Sequence, residues 1–210
     1  MSVEGERWII GVTGASGVRY AIRLLEVLLE EEVEPHVVFS DAGLRALNEE
    51  EGIAVSHGKL SAKTLLKKSG EIHFYNPRDI GAAIASGSFA ARGMVVCPCS
   101  MGSLAAIAHG MSQNLLHRAA DVTLKERRTL IVVPRETPLT TIHLENMLAV
   151  TRAGGIVCPA MPGFYHRPKS VSDIVDLQVM KILDLMGIRV DLAPRWGEPI
   201  QKGTAKIKKM

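Results

Sequence analysis

Short apolar runs alternate along this chain with longer segments whose apolar residues recur every three to four positions. The short runs predict buried β-strands, and the periodic segments predict amphipathic helices. The predicted strands are Trp8–Thr13, His36–Phe39, Gly93–Cys97, Leu130–Val133 and Gly155–Cys158. Because strand and helix alternate, the pattern favours a three-layer α/β fold in which a mainly parallel sheet carries helices on both faces.

Helices are predicted between and after these strands. They run from the turn at 14–17 to about Glu31, and over Leu104–His109, Leu115–Lys125, Thr141–Arg152 and Ser172–Met186. Thr140 or Thr141 is expected to cap the helix that ends at Arg152, with Glu145 as the capping-box partner. The least regular stretch is 51–86, where one helix (Leu60–Lys68) and one edge strand (His73–Tyr75) are predicted.

The 210 residues contain no repeat and no linker that would divide them, so one domain is expected. A hydrophobic content of 47% and a charged content of 22% are those of an ordinary globular protein. Much of the net charge of +3 lies in the basic C-terminal tail at 197–210, so it gives little support for binding to nucleic acid.

The compartment is predicted from three further observations. Met1–Arg7 lacks the layout of a signal peptide, and no apolar run has the length of a membrane span. Cys97, Cys99 and Cys158 lie in or beside predicted strands and are expected to be reduced and buried. We therefore expect a cytoplasmic protein that does not associate with membranes.

Two turns of small residues follow predicted strands, one at 13–17 (TGASG) and one at 98–103 (PCSMGS). Open α/β sheets bind ligands at the carboxyl ends of their strands, and such turns offer amide and hydroxyl donors. One glycine turn of this kind is common without any ligand, but two on neighbouring strands predict a cradle for a phosphate-bearing cofactor. Asp41, after the second strand, either contacts a ribose or, more simply, caps a helix.

Arg135 and Glu136 follow the strand at 130–133 directly, and Pro134 is expected to end the hydrogen-bonded ladder of that strand. A cation beside a carboxylate at a strand end suggests chemistry on an anionic ligand. Arg118 and Lys125 share one helix face with Asp121 between them, which indicates either a phosphate grip or a surface ion-pair ladder.

Tyr165 lies in a loop with two prolines and a glycine after the last strand, and Lys181 lies inside the last helix. Each could bind a phosphate, although a rim aromatic and a solvated lysine are the simpler interpretations. A metal site is not predicted. Cys97 and Cys99 have no second cysteine pair, and His109, His117 and His143 lack a metal-binding spacing.

The chain carries, in one order, the segments T-G-A-S-G, C-P-C-S-M-G-S-L, N-L-L-H-R-A-A-D-V-T-L-K-E-R-R, V-P-R-E-T-P-L, I-H-L-E-N-M and P-G-F-Y-H-R-P. Together these segments resemble the UbiX-type flavin prenyltransferases, from about Ile9 to Trp196, apart mainly from the stretch at 51–78. The resemblance implies a flavodoxin-like (Rossmann-type) fold and a homododecamer that binds FMN where subunits meet.

The resemblance also implies the reaction. A dimethylallyl group from dimethylallyl phosphate is joined to N5 and C6 of reduced FMN without a metal. The product, prenylated FMN, serves UbiD-type decarboxylases. The donor could instead be the pyrophosphate.

Carried over by motif, the residues that would hold the flavin are Gly14, Ala15, Ser16, Ser40, Ser100, Met101, Gly102, Ser103 and Arg135. Tyr165 and Lys181 would bind dimethylallyl phosphate. Arg118 and Lys125 would assist them. Glu136 and Ser16 would act in catalysis by assisting proton movement.

The chain departs from the family pattern at two positions. Lys181 stands where many relatives have arginine, which keeps the charge but loses the bidentate fork. Ile80 stands where some relatives place a tryptophan that would shield an allylic cation, so Trp196 is the aromatic that could take this role.

Two other functions compete with prenyl transfer. An FMN-dependent cysteine decarboxylase would need a P-A-S-A-N-T segment and a histidine on the first helix, and the chain has neither. A non-catalytic FMN carrier would need the flavin cradle but not Glu136, Tyr165 and Lys181 together.

Overall fold

The computed structural model describes residues 6–197, so residues 1–5 and most of the basic tail lie outside the described residues. The strands are β1 (Arg7–Val12), β2 (Glu34–Phe39), β3 (His73–Tyr75), β4 (Gly93–Cys99), β5 (Thr129–Pro134) and β6 (Ile156–Val157). They form one sheet in the order β3-β2-β1-β4-β5-β6, and every pair is parallel. Without the edge strand β3, this is the flavodoxin order. The predicted fold class is confirmed.

The helices are α1 (Val18–Glu30), α2 (Asp41–Glu51), α3 (Ala62–Leu66), α4 (Met101–Ala108), α5 (Leu115–Lys125), α6 (Thr141–Arg152) and α7 (Val171–Met186). Short 3₁₀ turns lie at His57–Lys59 and Ala83–Ala85. No described helix is long and apolar enough to cross a membrane.

Alternate residues of the central strands face opposite layers. Ile9, Met94 and Leu130 belong to a buried cluster with apolar residues of α4 and α5. On the strands' other face, α1 packs its buried stripe, which includes Leu24 and Leu28, against β1, β2 and β4. Helices therefore cover both faces of the sheet, as the alternation predicted.

The chain groups into two compact units, one up to Pro159 and the other from Ala160 onward. The first unit contains the whole sheet and six of the helices, and the second contains α7. The expectation of one domain stays a prediction.

Several predicted boundaries were wrong by a few residues, and hydrogen bonding explains the main ones. β4 continues to Cys99, which pairs with Pro134 after a bulge that begins at Val96, so Pro134 lies within the last pair of β5. α4 begins at Met101 because the Ser100 hydroxyl accepts from the Ser103 amide. The predicted helix at 60–68 is confined to Ala62–Leu66.

The capping of α6 also differs from the prediction. Thr140 is the N-cap, and its partner at the third helical position is His143, whose Nδ1 accepts from the Thr140 amide at 3.2 Å. Glu145 lies too far along the helix to close the capping box.

Cys97, Cys99 and Cys158 are buried, as expected, and form no disulfide. Burial raises the pKa of Cys99 to about 12. Burial, and then the neighbouring thiols, raises the pKa of Cys97 further still. The thiols of Cys97 and Cys99 are therefore protonated at neutral pH and are poor nucleophiles.

Candidate functional site

A buried threonine joins the two small-residue turns. The Thr13 hydroxyl donates to the Pro98 carbonyl at 2.8 Å and accepts from the Ser100 amide at 2.7 Å. The Thr13 amide donates to the same carbonyl at 3.2 Å. The two turns therefore lie side by side, as predicted, at the ends of β1 and β4. The strand order reverses between these two strands, which is where open α/β sheets bind ligands.

The first turn offers fewer free amides than its sequence suggested. The Glu50 carboxylate accepts from the amides of Gly17, at 2.9 Å, and Val18, at 3.0 Å. Because the N-terminus of a helix attracts negative charge, this carboxylate occupies the position expected for an anion. The expectation of free amides at the start of α1 was therefore wrong, while Gly14 and Ser16 remain exposed.

Gly14 is required by packing against α2. A Cβ atom on Gly14 would lie 2.5 Å from the Cβ of Ala42, which no side chain could tolerate without movement. Ala15 is buried beside it. The turn is therefore packed tightly against α2 on one side, while Gly14 and Ser16 are exposed to solvent on the other.

The second turn is rigid at its serines and open at its glycine. The Ser100 hydroxyl donates to the Ser103 hydroxyl at 3.3 Å, and the Ser103 hydroxyl lies 3.2 Å from the buried His117 Nε2. Burial lowers the pKa of His117, so its ring is neutral at pH 7. Met101 is buried, whereas a Cβ on Gly102 would meet nothing within 4 Å. A ligand can therefore approach the Gly102 backbone closely.

Ser40 adds a third strand end to this cradle. Its amide donates to the Val12 carbonyl at 2.9 Å, and its hydroxyl caps α2 by accepting from the Gly43 amide. Asp41 is therefore the first helical residue rather than the cap. Its carboxylate bonds His57 at 2.7 Å and Arg78 at 3.3 Å, and these hydrogen bonds lower the pKa of Asp41.

Arg135 and Glu136 bring the end of β5 to the same place. The Arg135 Nε donates to the Ser16 carbonyl at 3.1 Å, so the guanidinium lies against the first turn. Glu136 is exposed, and its Oε1 accepts from the Thr137 amide at 3.0 Å. The structure therefore gathers the ends of β1, β2, β4 and β5 into one cradle.

Arg118 and Lys125 do not both lie at this cradle. Arg118 pairs with Asp121 at 2.9 Å, as the ladder interpretation predicted, but Lys125 pairs with Glu126 instead. Thr129, shortly after Lys125, is the register partner of Gly93, the first residue of β4. Lys125 therefore lies at the amino edge of the sheet, opposite the turns.

The unit from Ala160 onward has a cavity of its own of about 310 Å³. Tyr165 and Lys181 both line it, so the structure brings these two predicted residues together. Lys181 is exposed and has no ion-pair partner in the described part of the chain. The Trp196 ring meets the Tyr165 ring edge-on at 5.3 Å and is 80% exposed, while Ile80 is also exposed.

Sequence reasoning missed three polar residues of this cavity: Gln178, Asp184 and Arg195. Arg195 binds Asp184 through two hydrogen bonds of 2.8 and 2.9 Å, and binds Asp191 at 2.9 Å. These hydrogen bonds raise the pKa of Arg195, which stays protonated, and the carboxylates of Asp184 and Asp191 balance its positive charge. Gln178 and Asp184 lie three residues before and after Lys181, a helical spacing that could have indicated a shared face.

Comparisons with known proteins agree with this geometry. The family model for flavoproteins matches residues 2–184. The chain is 47% identical over 199 residues to the flavin prenyltransferase UbiX of Halalkalibacterium halodurans, with 94% of this chain and 97% of that protein covered. It is 47% identical over 192 residues to the mitochondrial flavin prenyltransferase PAD1 of Saccharomyces cerevisiae, with 91% and 75% covered.

Solved structures give the same relationship. AnUbiX (PadA1), crystallised with FMN and dimethylallyl pyrophosphate, superposes with a TM-score of 0.83 at 39% identity, covering 93% of this chain and 99% of that one. A dodecameric FMN-dependent UbiX-like decarboxylase from Escherichia coli O157:H7 superposes with a TM-score of 0.82 at 43% identity, covering 91% and 100%. The peptidyl-cysteine decarboxylase EpiD, at 14% identity and a TM-score of 0.57, shares the fold alone.

Proposed function

The chain belongs to the flavoprotein family, as one of its UbiX-type flavin prenyltransferases, and from this premise we propose its reaction. It transfers a dimethylallyl group from dimethylallyl phosphate to N5 and C6 of reduced FMN and releases prenylated FMN. The observation that carries the proposal is that one cavity is lined by both Tyr165 and Lys181, and that Lys181 has no ion-pair partner among residues 6–197.

The cradle fits FMN. The exposed Ser16, the open Gly102 backbone and the Arg135 guanidinium offer the kind of donors that a phosphate and a flavin ring require. The residues that would hold FMN are Gly14, Ala15, Ser16, Ser40, Ser100, Met101, Gly102, Ser103 and Arg135. Reduced FMN supplies the nucleophilic atoms of the reaction.

Tyr165 and Lys181 would bind the phosphate of the donor. Breaking the allylic C–O bond leaves charge on the departing phosphate, and a fixed cation stabilises that charge most when water is excluded. Lys181 can serve because its charge is not neutralised by a described neighbour, in contrast to Arg195. Trp196, edge-on to Tyr165, could shield the allylic cation in place of an aromatic at Ile80.

Glu136 would take up the proton that C6 loses when the benzenoid ring of the flavin regains aromaticity, and Ser16 would assist. Two features support Glu136. Its carboxylate is exposed at the end of β5, and within residues 6–197 it accepts from one backbone amide, which leaves lone pairs for a substrate proton. The Ser16 carbonyl accepts from Arg135, the residue before Glu136, and this contact fixes the backbone of Ser16.

Arg118 and Lys125 would act from a neighbouring subunit. Within one chain, Lys125 lies at the amino edge of the sheet, so it cannot assist its own cradle without large movement. Ile142, Leu144 and Leu148 leave apolar area exposed on α6, as expected for a helix that another copy covers. We propose a homododecamer, the assembly described for the relative from Escherichia coli.

We further propose that the product is delivered to a UbiD-type decarboxylase and that the protein works in the cytoplasm, without nucleic acid or membrane as partners. Three buried cysteines that form no disulfide support a reducing compartment. The donor could be dimethylallyl phosphate or pyrophosphate.

The proposal is tested by substituting Glu136. Glu136→Gln is expected to bind FMN as tightly as the parent protein and to form prenylated FMN more slowly, since the amide cannot accept the proton. Thr137→Ala, at the neighbouring exposed position, serves as the control. Loss of FMN binding in Glu136→Gln would show that the residue belongs to the flavin cradle instead.

The same assay separates the competing functions. An FMN carrier would bind FMN and form no product with either donor. A cysteine decarboxylase would release carbon dioxide from a cysteine-terminated peptide, which this protein is not expected to do.

A further inference from the structure

Two histidines and a glutamate converge at the amino ends of β2 and β3. Glu34 and His36 are two residues apart on β2 and therefore share a face, and His73 is the register partner of His36 on β3. The two imidazole rings stack, with centroids 4.6 Å apart and planes 12° apart. The cluster lies about 13 Å along β2 from Ser40, given the rise of a strand, and so is remote from the flavin cradle.

Both rings turn one nitrogen toward a single oxygen. The Nε2 of His36 lies 3.0 Å from Glu34 Oε1, and the Nε2 of His73 lies 3.1 Å from the same atom. One ligand atom from each of the three residues lies within 4.8 Å of the others. Two ligands of a tetrahedral zinc ion are about 3.4 Å apart, so the three atoms need only small movements to bind one ion.

Outer contacts already orient the ligands. The Nδ1 of His36 lies 2.9 Å from the Tyr75 hydroxyl, and a proton on Nδ1 would leave the Nε2 lone pair directed at the site. The Arg7 Nε donates to the other carboxylate oxygen of Glu34 at 3.0 Å, which fixes Oε1 toward the histidines. Histidines that bind metals usually have such a second partner.

The surroundings leave one position of a tetrahedral site open to solvent. His36 is buried, with the Phe89 ring edge-on at 4.8 Å, whereas Glu34 and His73 are partly exposed. A water molecule can therefore complete a tetrahedron. The Glu71 carboxylate, 3.7 Å from the His73 Nε2, is a second candidate for the fourth ligand.

We propose that Glu34, His36 and His73 bind one zinc ion that fastens the edge strand β3 to β2. Two imidazoles and a carboxylate form a donor set that favours zinc, because magnesium is bound mainly by oxygen ligands. No metal site was predicted from the sequence, so this proposal departs from that expectation; the cluster lies at the edge of the sheet opposite the flavin cradle. Sequence reasoning missed it because His73 is far from His36 in sequence.

Isothermal titration of the full-length, chelator-treated protein tests the proposal. We expect one equivalent of Zn²⁺ to bind per chain, Mg²⁺ not to bind, and the midpoint of thermal unfolding to rise with Zn²⁺. Cobalt should give the visible absorption of a tetrahedral nitrogen and oxygen site. His73→Gln is expected to abolish stoichiometric binding, and Tyr75→Phe to weaken it by about tenfold.

His57→Gln is the matched control, since His57 is also a partly buried histidine paired with a carboxylate. It should bind zinc as the parent does. The proposal is overturned if no equivalent of zinc binds, or if His73→Gln binds zinc as tightly as the parent. Circular dichroism of the metal-free variants shows whether each remains folded. If His73→Gln does not fold, the zinc affinity of Tyr75→Phe still tests the proposal.

Discussion

The hydroxyl of Thr13 makes two of the hydrogen bonds that join the two turns of the proposed flavin cradle, so its removal tests how these turns are held together. Thr13→Val keeps the shape of the side chain but removes one donor and one acceptor from a site that is 1% exposed. The Ser100 amide loses its partner, while the Pro98 carbonyl still accepts from the Thr13 amide. Leaving one buried donor unsatisfied costs roughly 1–3 kcal/mol.

Urea unfolding is expected to show that loss in the free energy of unfolding of Thr13→Val. FMN titration should show weaker binding, because the Ser100 amide and the capping of α4 are no longer fixed against the first turn. Thr13→Ser is the control. It keeps the hydroxyl and removes one methyl group, so it should lose about 0.8 kcal/mol and retain FMN affinity.

A Thr13→Val variant that is as stable as the parent and binds FMN equally well would refute this role of the hydroxyl. Equal losses of FMN affinity in Thr13→Val and Thr13→Ser would show that packing, rather than the hydroxyl, positions the turns.

Two other predictions follow from the second unit and from the core. Lys181→Ala should raise KM for dimethylallyl phosphate by about 10- to 100-fold, as expected when a charge-assisted hydrogen bond is lost. Lys181→Arg should restore most of the affinity for this donor. An unchanged KM of Lys181→Ala in steady-state kinetics would show that Lys181 does not belong to the donor site. Because burial raises the pKa of Cys97 and Cys99, a thiol reagent at pH 8 should label neither until urea unfolds the protein, and rapid labelling of the native protein would contradict their burial.

Much of the fold was predictable because strands and helices impose different periods on a sequence. Helices α5 and α6 were predicted with the bounds that the structure shows. Boundaries failed where capping decided them, as at Ser100, since a serine inside a small-residue turn does not show which amide its hydroxyl will bind.

The site was predictable at the strand ends and less so elsewhere. Parallel strands end at one edge, so Ser16, Ser100 and Arg135 could be expected to meet. The carboxylate of Glu50, which is 32 residues from Val18, could not be placed at the start of α1 by any local pattern. The spacing of Arg118 and Lys125 predicted a shared face but not that Lys125 would lie at the far edge of the sheet.

Mass spectrometry of the extracted flavin tests prenyl transfer to reduced FMN most directly. The protein is incubated anaerobically with reduced FMN in two parallel reactions. One contains dimethylallyl phosphate and the other contains dimethylallyl pyrophosphate. We predict that the flavin gains the mass of one dimethylallyl unit with at least one donor. A flavin of unchanged mass with both donors, from protein shown to bind FMN, would contradict the account.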